Sequence, residues 1–143
     1  MSCYCNCDKV VFSGSLTASQ TVTQGLPVNF TKNLSSGVTY TDTSVTIRRP
    51  GVYKETVDAS AATTASSATD ITAQLQRNGT QVGNVQSTAT SSSATDFVTL
   101  SFDAIIKVNS TCCQLDDNSA TLTIVNSGAT ATYASLTVTV TRV

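Results

Sequence analysis

Apolar and polar residues alternate with a period of two along most of the chain. Leu136-Thr137-Val138-Thr139-Val140-Thr141 alternates without a break, and Val45-Thr46-Ile47 and Ala120-Thr121-Leu122-Thr123-Ile124 repeat the pattern. Successive side chains of a strand point to opposite faces, so aliphatics at alternate positions define a buried face and β-branched Thr a solvent face. No window places apolar residues at i, i+3, i+4 and i+7, and very little helix is expected. The expected strands are Val10–Leu16, Val28–Thr31, Ser44–Arg48, Val52–Ala61, Ile71–Arg77, Thr80–Thr88, Phe97–Val108, Ala120–Val125 and Ala131–Arg142. Val45, Ile47, Val52, Leu75, Leu100, Phe102, Leu122, Ile124, Leu136, Val138 and Val140 are the expected inward residues.

Turn residues punctuate these strands. Asn78-Gly79 is a hairpin dipeptide, because both positions of a tight I′ turn need positive φ. Arg49-Pro50-Gly51 and Asn126-Ser127-Gly128 break two further pairs, while Gln24-Gly25-Leu26-Pro27 and Ser35-Ser36-Gly37 read as loops. Short strands at this spacing predict one all-β sandwich or barrel. Ser60 to Thr69 and Ser87 to Thr95 are almost pure Ala, Ser and Thr. They are expected to be strand ends or loops lying against another subunit, because small residues permit close approach.

Composition narrows the chemistry. The 143 residues are 40% hydrophobic but only 12% charged, with Thr and Ser taking the place of charge. With no His, the histidine-based triads and His-bearing zinc sites are excluded. A net charge of −1 from 8 basic and 9 acidic residues gives no footprint for nucleic acid. No apolar run approaches the ~18 residues of a membrane span, and residues 1–8 carry no apolar core of a signal peptide. Glu55 and Asp58 lack the supporting groups of an acid/base pair. No catalytic residue and no cofactor or metal is expected.

The stretch Ser44 to Lys54, with Pro50-Gly51-Val52-Tyr53 at its centre, resembles a hairpin signature of jelly rolls of the tumour-necrosis-factor and complement globular-head type. Ala73 to Thr80, Phe97 to Phe102 and Ala134 to Val138 follow in the same order. The resemblance spans roughly Val10 to Val143 and implies a ten-strand antiparallel jelly roll that trimerises. Bacterial versions close collagen-like glycoproteins of spore surfaces and occur on phage particles. This chain lacks the Gly-X-Y repeat of a collagen stalk and places a short polar segment, Met1 to Asp8, before the domain expected over residues 9–143.

The five cysteines form two clusters, Cys3, Cys5 and Cys7, and Cys112 with Cys113. In extended chain the first three share one face and the last two point oppositely. None lies in an apolar run. Three readings stay open: intermolecular disulfides, a thiolate site for a soft metal, and free or intrachain-paired thiols. The arrangement resembles that of endospore appendage subunits, which implies an N-terminal connector bonded covalently to a neighbour. The expectation is therefore a non-enzymatic structural protein that partners itself, with no nucleic acid and no membrane, on a spore surface or a virion. A phage head-decoration or head-fibre protein is the first alternative, and a receptor- or carbohydrate-binding tip the second. Asp116-Asp117-Asn118 lacks the spacing of a calcium loop and reads as a solvated turn. The four Asn-x-Ser/Thr matches, at Asn29, Asn33, Asn78 and Asn109, read as chance in so Thr-rich a chain.

Overall fold

A computed structural model describes residues 9–109 and 119–143. The strands are β1 (Val11–Ser15), β2 (Gln20–Val22), β3 (Thr31–Ser36), β4 (Thr39–Tyr40), β5 (Ser44–Ile47), β6 (Gly51–Thr63), β7 (Thr69–Arg77), β8 (Thr80–Ser91), β9 (Val98–Val108), β10 (Ala120–Asn126) and β11 (Ala131–Arg142). One sheet has the order β3-β1-β11-β6-β9 with β2 also on β11, and the other β4-β5-β10-β7-β8. Every pairing is antiparallel. From β5 onward the chain passes repeatedly between the two sheets. The result is a tumour-necrosis-factor-like jelly-roll sandwich. Among the described residues no helix is present, so none is long and apolar enough to cross a membrane.

The alternating pattern finds its core as expected along most strands. Val45, Ile47, Leu75, Leu100, Leu122, Ile124, Leu136, Val138 and Val140 are all buried between the sheets. Each large aliphatic removed from water contributes about 1.5–3 kcal/mol. Val52 is a correction: it faces outward and is 38% exposed, and Tyr53 takes the inward place. The parity of β6 is set by Tyr53, Val57, Ala59 and Ala61, all buried, and Val52 is out of phase with them. Phe102 has the inward parity but is only partly buried against the core.

Three short strands, β2, β3 and β4, carry no alternation and were not expected. β3 is exposed along nearly its whole length, which removes the apolar half of the pattern. The expected strand Val28–Thr31 is instead an extended crossing segment, held by a Pro27–Val125 bridge and by Val28 N–H donating to Ile124 C=O. The Asn78-Gly79 turn joins β7 to β8 as a hairpin, with φ 53° and 84°. The other two turns are not hairpins. Arg49-Pro50-Gly51 carries the chain from β5 across to β6 in the opposite sheet, and Asn126-Ser127-Gly128 carries β10 across to β11.

The strands define two ends. The proximal end holds Lys9, Ser36-Gly37, the Arg48–Gly51 corner, the Asn78-Gly79 turn, Asn109, Ser119 and Val143. The distal end holds Leu16, Thr31, the β6–β7 and β8–β9 connections and the Asn126–Ala131 corner. At that distal corner a Cβ on Gly128 would lie 2.6 Å from the Thr72 nitrogen, a backbone atom that cannot turn aside. Gly128→Ala is expected to destabilise by about 1–3 kcal/mol, as overpacking does. Urea melts with an unchanged midpoint would contradict this close approach.

Candidate assembly surface

Ser and Thr are the commonest residues on the outward face of the six-stranded sheet, with Asp58, Asp103, Lys54 and Lys107 among them. The strand registers set Ser13, Thr139, Thr56 and Asp103 in one row, and Ser15, Thr137, Asp58 and Ser101 in the next. A third row reads Ser135, Ser60 and Thr99. Towards the proximal end the row Val11, Thr141, Lys54 and Ile105 adds two aliphatic side chains to this face. Ile105 is 63% exposed and Val143 76%. Val143 N–H donates to Val52 C=O at 2.8 Å, which brings the chain's last residue against exposed Val52. Lys54 Nζ lies 3.9 Å from Asp103 Oδ2, both half-exposed, so that pair adds little stability. The face thus combines hydroxyls with two lysines and two aspartates, and Val52, Ile105 and Val143 are its exposed aliphatics near the proximal end.

The proximal end beside that corner is held first by Tyr53 and Arg142. Buried Tyr53 donates its hydroxyl to Arg49 C=O at 2.7 Å, and Arg142 Nη2 donates to Pro50 C=O at 3.3 Å. Gly51 sits at φ 154°, a conformation side chains rarely adopt, and a Cβ there would meet Tyr53 Oη at 3.1 Å. Asn78 adds a second clasp. It donates from Nδ2 to Ser119 C=O at 3.2 Å and accepts at Oδ1 from Thr121 N–H at 2.8 Å.

Inside the sandwich stands Glu55, the one glutamate of the chain, only 1% exposed. It pairs with Val140 on one side and Ala104 on the other, both buried. The inward residues beside it, Tyr53, Val57, Val138 and Ile106, carry no charge. Its Oε1 has no hydrogen-bond partner. Burial disfavours the carboxylate and raises the group from about 4.5 to about 8. At neutral pH the acid is therefore protonated. Asp58 faces the opposite way, outward on β6, so the two acids lie on different sides of one sheet.

The distal end is held by hydroxyls and amides. Buried Asn126 donates from Nδ2 to Val22 C=O at 2.9 Å and to Ala129 C=O at 3.0 Å, and accepts from Tyr133 Oη at 3.2 Å. Burial raises the Tyr133 phenol well above its ordinary value. Ser91 donates to the Ser93 and Asp96 carbonyls and accepts from Thr63 N–H at 2.9 Å. Asp96 accepts from the Ser92 N–H and hydroxyl, which lower its carboxyl below the ordinary value. The two Ala/Ser/Thr stretches are strand ends and turns, and several of their hydroxyls bond within their own turns. Two open clefts of about 360 Å³ and 290 Å³ adjoin at Gln20 and Asn29 nearby. The Gln20 amide separates them, donating to Asn29 C=O and accepting from Asn29 N–H.

The site residues expected from sequence, Cys3, Cys5, Cys7, Cys112 and Cys113, lie outside the described residues, as does Asp116-Asp117-Asn118. Among the described residues no group of three or more Cys, Asp or Glu is placed to hold a metal. Sequence reasoning gave Glu55 no structural role. Its inward parity with Tyr53 and Val57 was the available signal.

No protein-family pattern matches the sequence, and no curated relative matches. The fold does have neighbours. Crystal structures of murine APRIL superpose with TM-scores of 0.61 and 0.62 at 9% and 10% identity, covering 94% of this chain and 99% of theirs. The phage PRD1 vertex protein P5 superposes with a TM-score of 0.53 at 14% identity, covering 94% and 96%. At such identities the likeness is one of fold.

Two outcomes follow for the buried groups. In the unfolded chain Glu55 releases its proton near pH 4.5, while in the fold it keeps it to about pH 8. Below pH 4.5 both states are protonated and the contribution is whole. It is lost at about 1.4 kcal/mol per pH unit as pH rises towards 8, then levels off. Glu55→Gln is expected to abolish that slope, read as the difference between the two proteins' urea-derived stabilities across pH 4–9. Parallel profiles would refute the buried acid. Asn126→Ala is expected to cost about 2–3 kcal/mol, because it strands the Tyr133 hydroxyl and the Val22 carbonyl, whereas Tyr133→Phe costs about 1 kcal/mol. A calorimetric Tm ranking of the two variants in the opposite order would contradict the network.

Proposed function

We propose that this chain is a structural, self-assembling subunit of an extracellular spore-surface fibre, with subunits joined through the segment 1–8 and intermolecular disulfides of Cys3, Cys5, Cys7, Cys112 and Cys113. The observation that carries self-assembly is the outward face of the six-stranded sheet. A face of Ser and Thr costs little to desolvate compared with one of Lys and Glu, and it lets a second copy approach closely. The exposed Val52, Ile105 and Val143 corner supplies the apolar anchor of such a contact. The assembly unit expected from the jelly-roll resemblance is a trimer.

A second reading is a virion protein, and one observation favours it: the likeness of fold to the phage PRD1 vertex protein P5. Electron microscopy of the purified chain separates the two. Long filaments support the appendage, and discrete oligomers that decorate capsids support the virion.

The surface itself is testable in either case. Ile105→Asp is expected to weaken association about ten- to a hundred-fold, since burying an Ile is worth about 1.5–3 kcal/mol. Sedimentation with the cysteines replaced by Ser reads this without covalent links, and an unchanged dissociation constant would sink the sheet-face interface. Removal of residues 1–7 is expected to leave a folded domain that no longer polymerises. Assembly equal to that of the intact chain would refute the connector.

A further inference from the structure

The charged side chains are sorted along the strand axis. Lys9, Arg48, Arg49, Arg77, Lys107 and Arg142 stand at the proximal end, and among the described residues no acidic side chain stands with them. Arg77 closes β7 beside the Asn78-Gly79 turn, and Lys107 pairs with Val52. The distal end holds Asp42, Asp70 and Asp96. Asp42 C=O accepts from Phe30 N–H next to Thr31, Asp70 pairs with Thr90, and Asp96 lies in the β8–β9 connection. The distal segments 16–31, 41–43, 64–68, 92–97 and 127–130 contain no Lys or Arg. Lys32, Lys54, Asp58 and Asp103, of mixed sign, lie between the ends. Lys9, Lys107, Asp42 and Asp70 are exposed, and Arg77 and Asp96 half-buried. Arg48, Arg49 and Arg142 are engaged within the chain, so Lys9, Arg77 and Lys107 carry the argument. The six cations outnumber two to one the three acids of residues 1–8 and 110–118, Asp8, Asp116 and Asp117.

We infer that copies of this chain stack head to tail, the cationic proximal end of one on the anionic distal end of the next. The inference rests on the self-assembly reading above and adds the axis of growth. On β7 alone Asp70 and Arg77 stand seven residues apart, about 23 Å along the strand. That exceeds the Debye length of ~8 Å at physiological salt, so the two ends do not cancel within a subunit and each presents its own field. A second copy supplies both signs. A polyanion would account for the basic end but not for a distal end without cations. Exposed Leu26 and Phe97 add apolar surface at the distal end. The stem of a Lys or Arg from the next copy can lie over them, with its charge on the Phe97 ring.

Such a contact is heterologous. One patch meets a different patch, so each stack keeps a free end of either kind and continues to grow. An antiparallel pair lying side by side also matches the two signs, but it closes at two copies. Through the six-stranded face it would lay the middle rows together and set Asp58 and Asp103 near their own counterparts, a like-charge contact. Head-to-tail growth leaves that face and exposed Ile105 open to lateral contact.

Charge reversal at each end tests this on the full-length chain under reducing conditions. One variant carries Lys9→Glu, Arg77→Glu and Lys107→Glu, and the other Asp42→Lys and Asp70→Lys. Asp96 is kept, because it holds the Ser92 turn. Sedimentation velocity follows association, and circular dichroism checks that both variants keep the all-β spectrum. The unmutated chain is expected to form stacks that lengthen with concentration. Their association should weaken about ten-fold between about 0.1 M and about 1 M salt, which shortens the Debye length from ~10 Å to ~3 Å. Each variant alone is expected to associate about ten-fold more weakly at the lower salt, because exposed attractions become repulsions. An equal mixture of the two should regain stacks, since in alternation every cationic end again meets an anionic one. No gain on mixing two folded variants overturns the inference, and so does a mixture that stops at pairs at every concentration. The salt dependence of the unmutated chain needs no substitution and decides the same point. Association that salt leaves unchanged overturns head-to-tail stacking while the sheet-face contact stands. An unmutated chain that binds polyphosphate but never itself overturns the self-assembly reading as well.

Discussion

The register between β6 and β11 is the constraint on which the rest of the molecule depends. The ladder runs from Ala131↔Thr63 to Arg142↔Tyr53, with one irregularity between Tyr133 and Ser135. A side-chain period of two makes any slip by one residue an exchange of faces. Such a slip would bring Thr137, Thr139 and Thr141 into the core and expel Leu136, Val138 and Val140. The Tyr53 hydroxyl on the Arg49 carbonyl fixes one end of this ladder, and Tyr133 on Asn126 fixes the other. Both tyrosines are fully buried, so each hydroxyl must find its partner or cost free energy. The outward hydroxyl face and the proximal corner are then consequences of the register, since every outward row is the complement of an inward one.

Glu55 sits on this same ladder, and that placement gives it meaning. A carboxyl between Val140 and Ala104 is tolerated only as the neutral acid, and the register cannot move it outward without expelling Tyr53 and Val57. The core therefore carries a built-in preference for low pH that opposes the usual acid lability of proteins. In a chain whose charged content is 12%, few other carboxylates are present to be protonated, and this one acts against a small background.

Strict alternation made β5, β9, β10 and β11 legible from sequence to within a residue or two, because each has one face buried and one open. Where both faces are exposed, as in β3, or the strand is two or three residues long, as in β4 and β2, alternation has nothing to report. Val52 misled because it and Tyr53 are neighbours that could each begin the inward set, and the sequence reading took the aliphatic. The hydroxyl reaches the Arg49 carbonyl instead, and the ring goes inside. Corner turns were legible as breaks but not as sheet crossings, since Pro-Gly and Ser-Gly signal a change of direction and carry no information on which sheet receives the next strand. The cysteines were legible only as clusters. That residues 9, 109 and 119 share the proximal end is a property of topology, set by β1 pairing with β11, β9 with β6 and β10 with β5.

The edges of the sheets point the same way as the outward face. β8 is a 12-residue edge strand, Thr80 to Ser91, without one charged residue. Proteins that stay apart usually guard so long an edge with Lys or Pro. Here Gly83 at φ 47° and the register shift between Gln74 and Gln76 bend the strand, which discourages unlimited strand addition without adding charge. β9, the edge beside it, carries Asp103 and Lys107 around exposed Ile105. Edge-to-edge pairing is thus opposed by shape on β8 and by charge on β9, while the outward face between β9 and β3 sets Lys54 and Asp58 among its hydroxyls. Under the self-assembly proposed above, contact through sheet faces is then less hindered than contact through strand edges, which separates ordered assembly from aggregation.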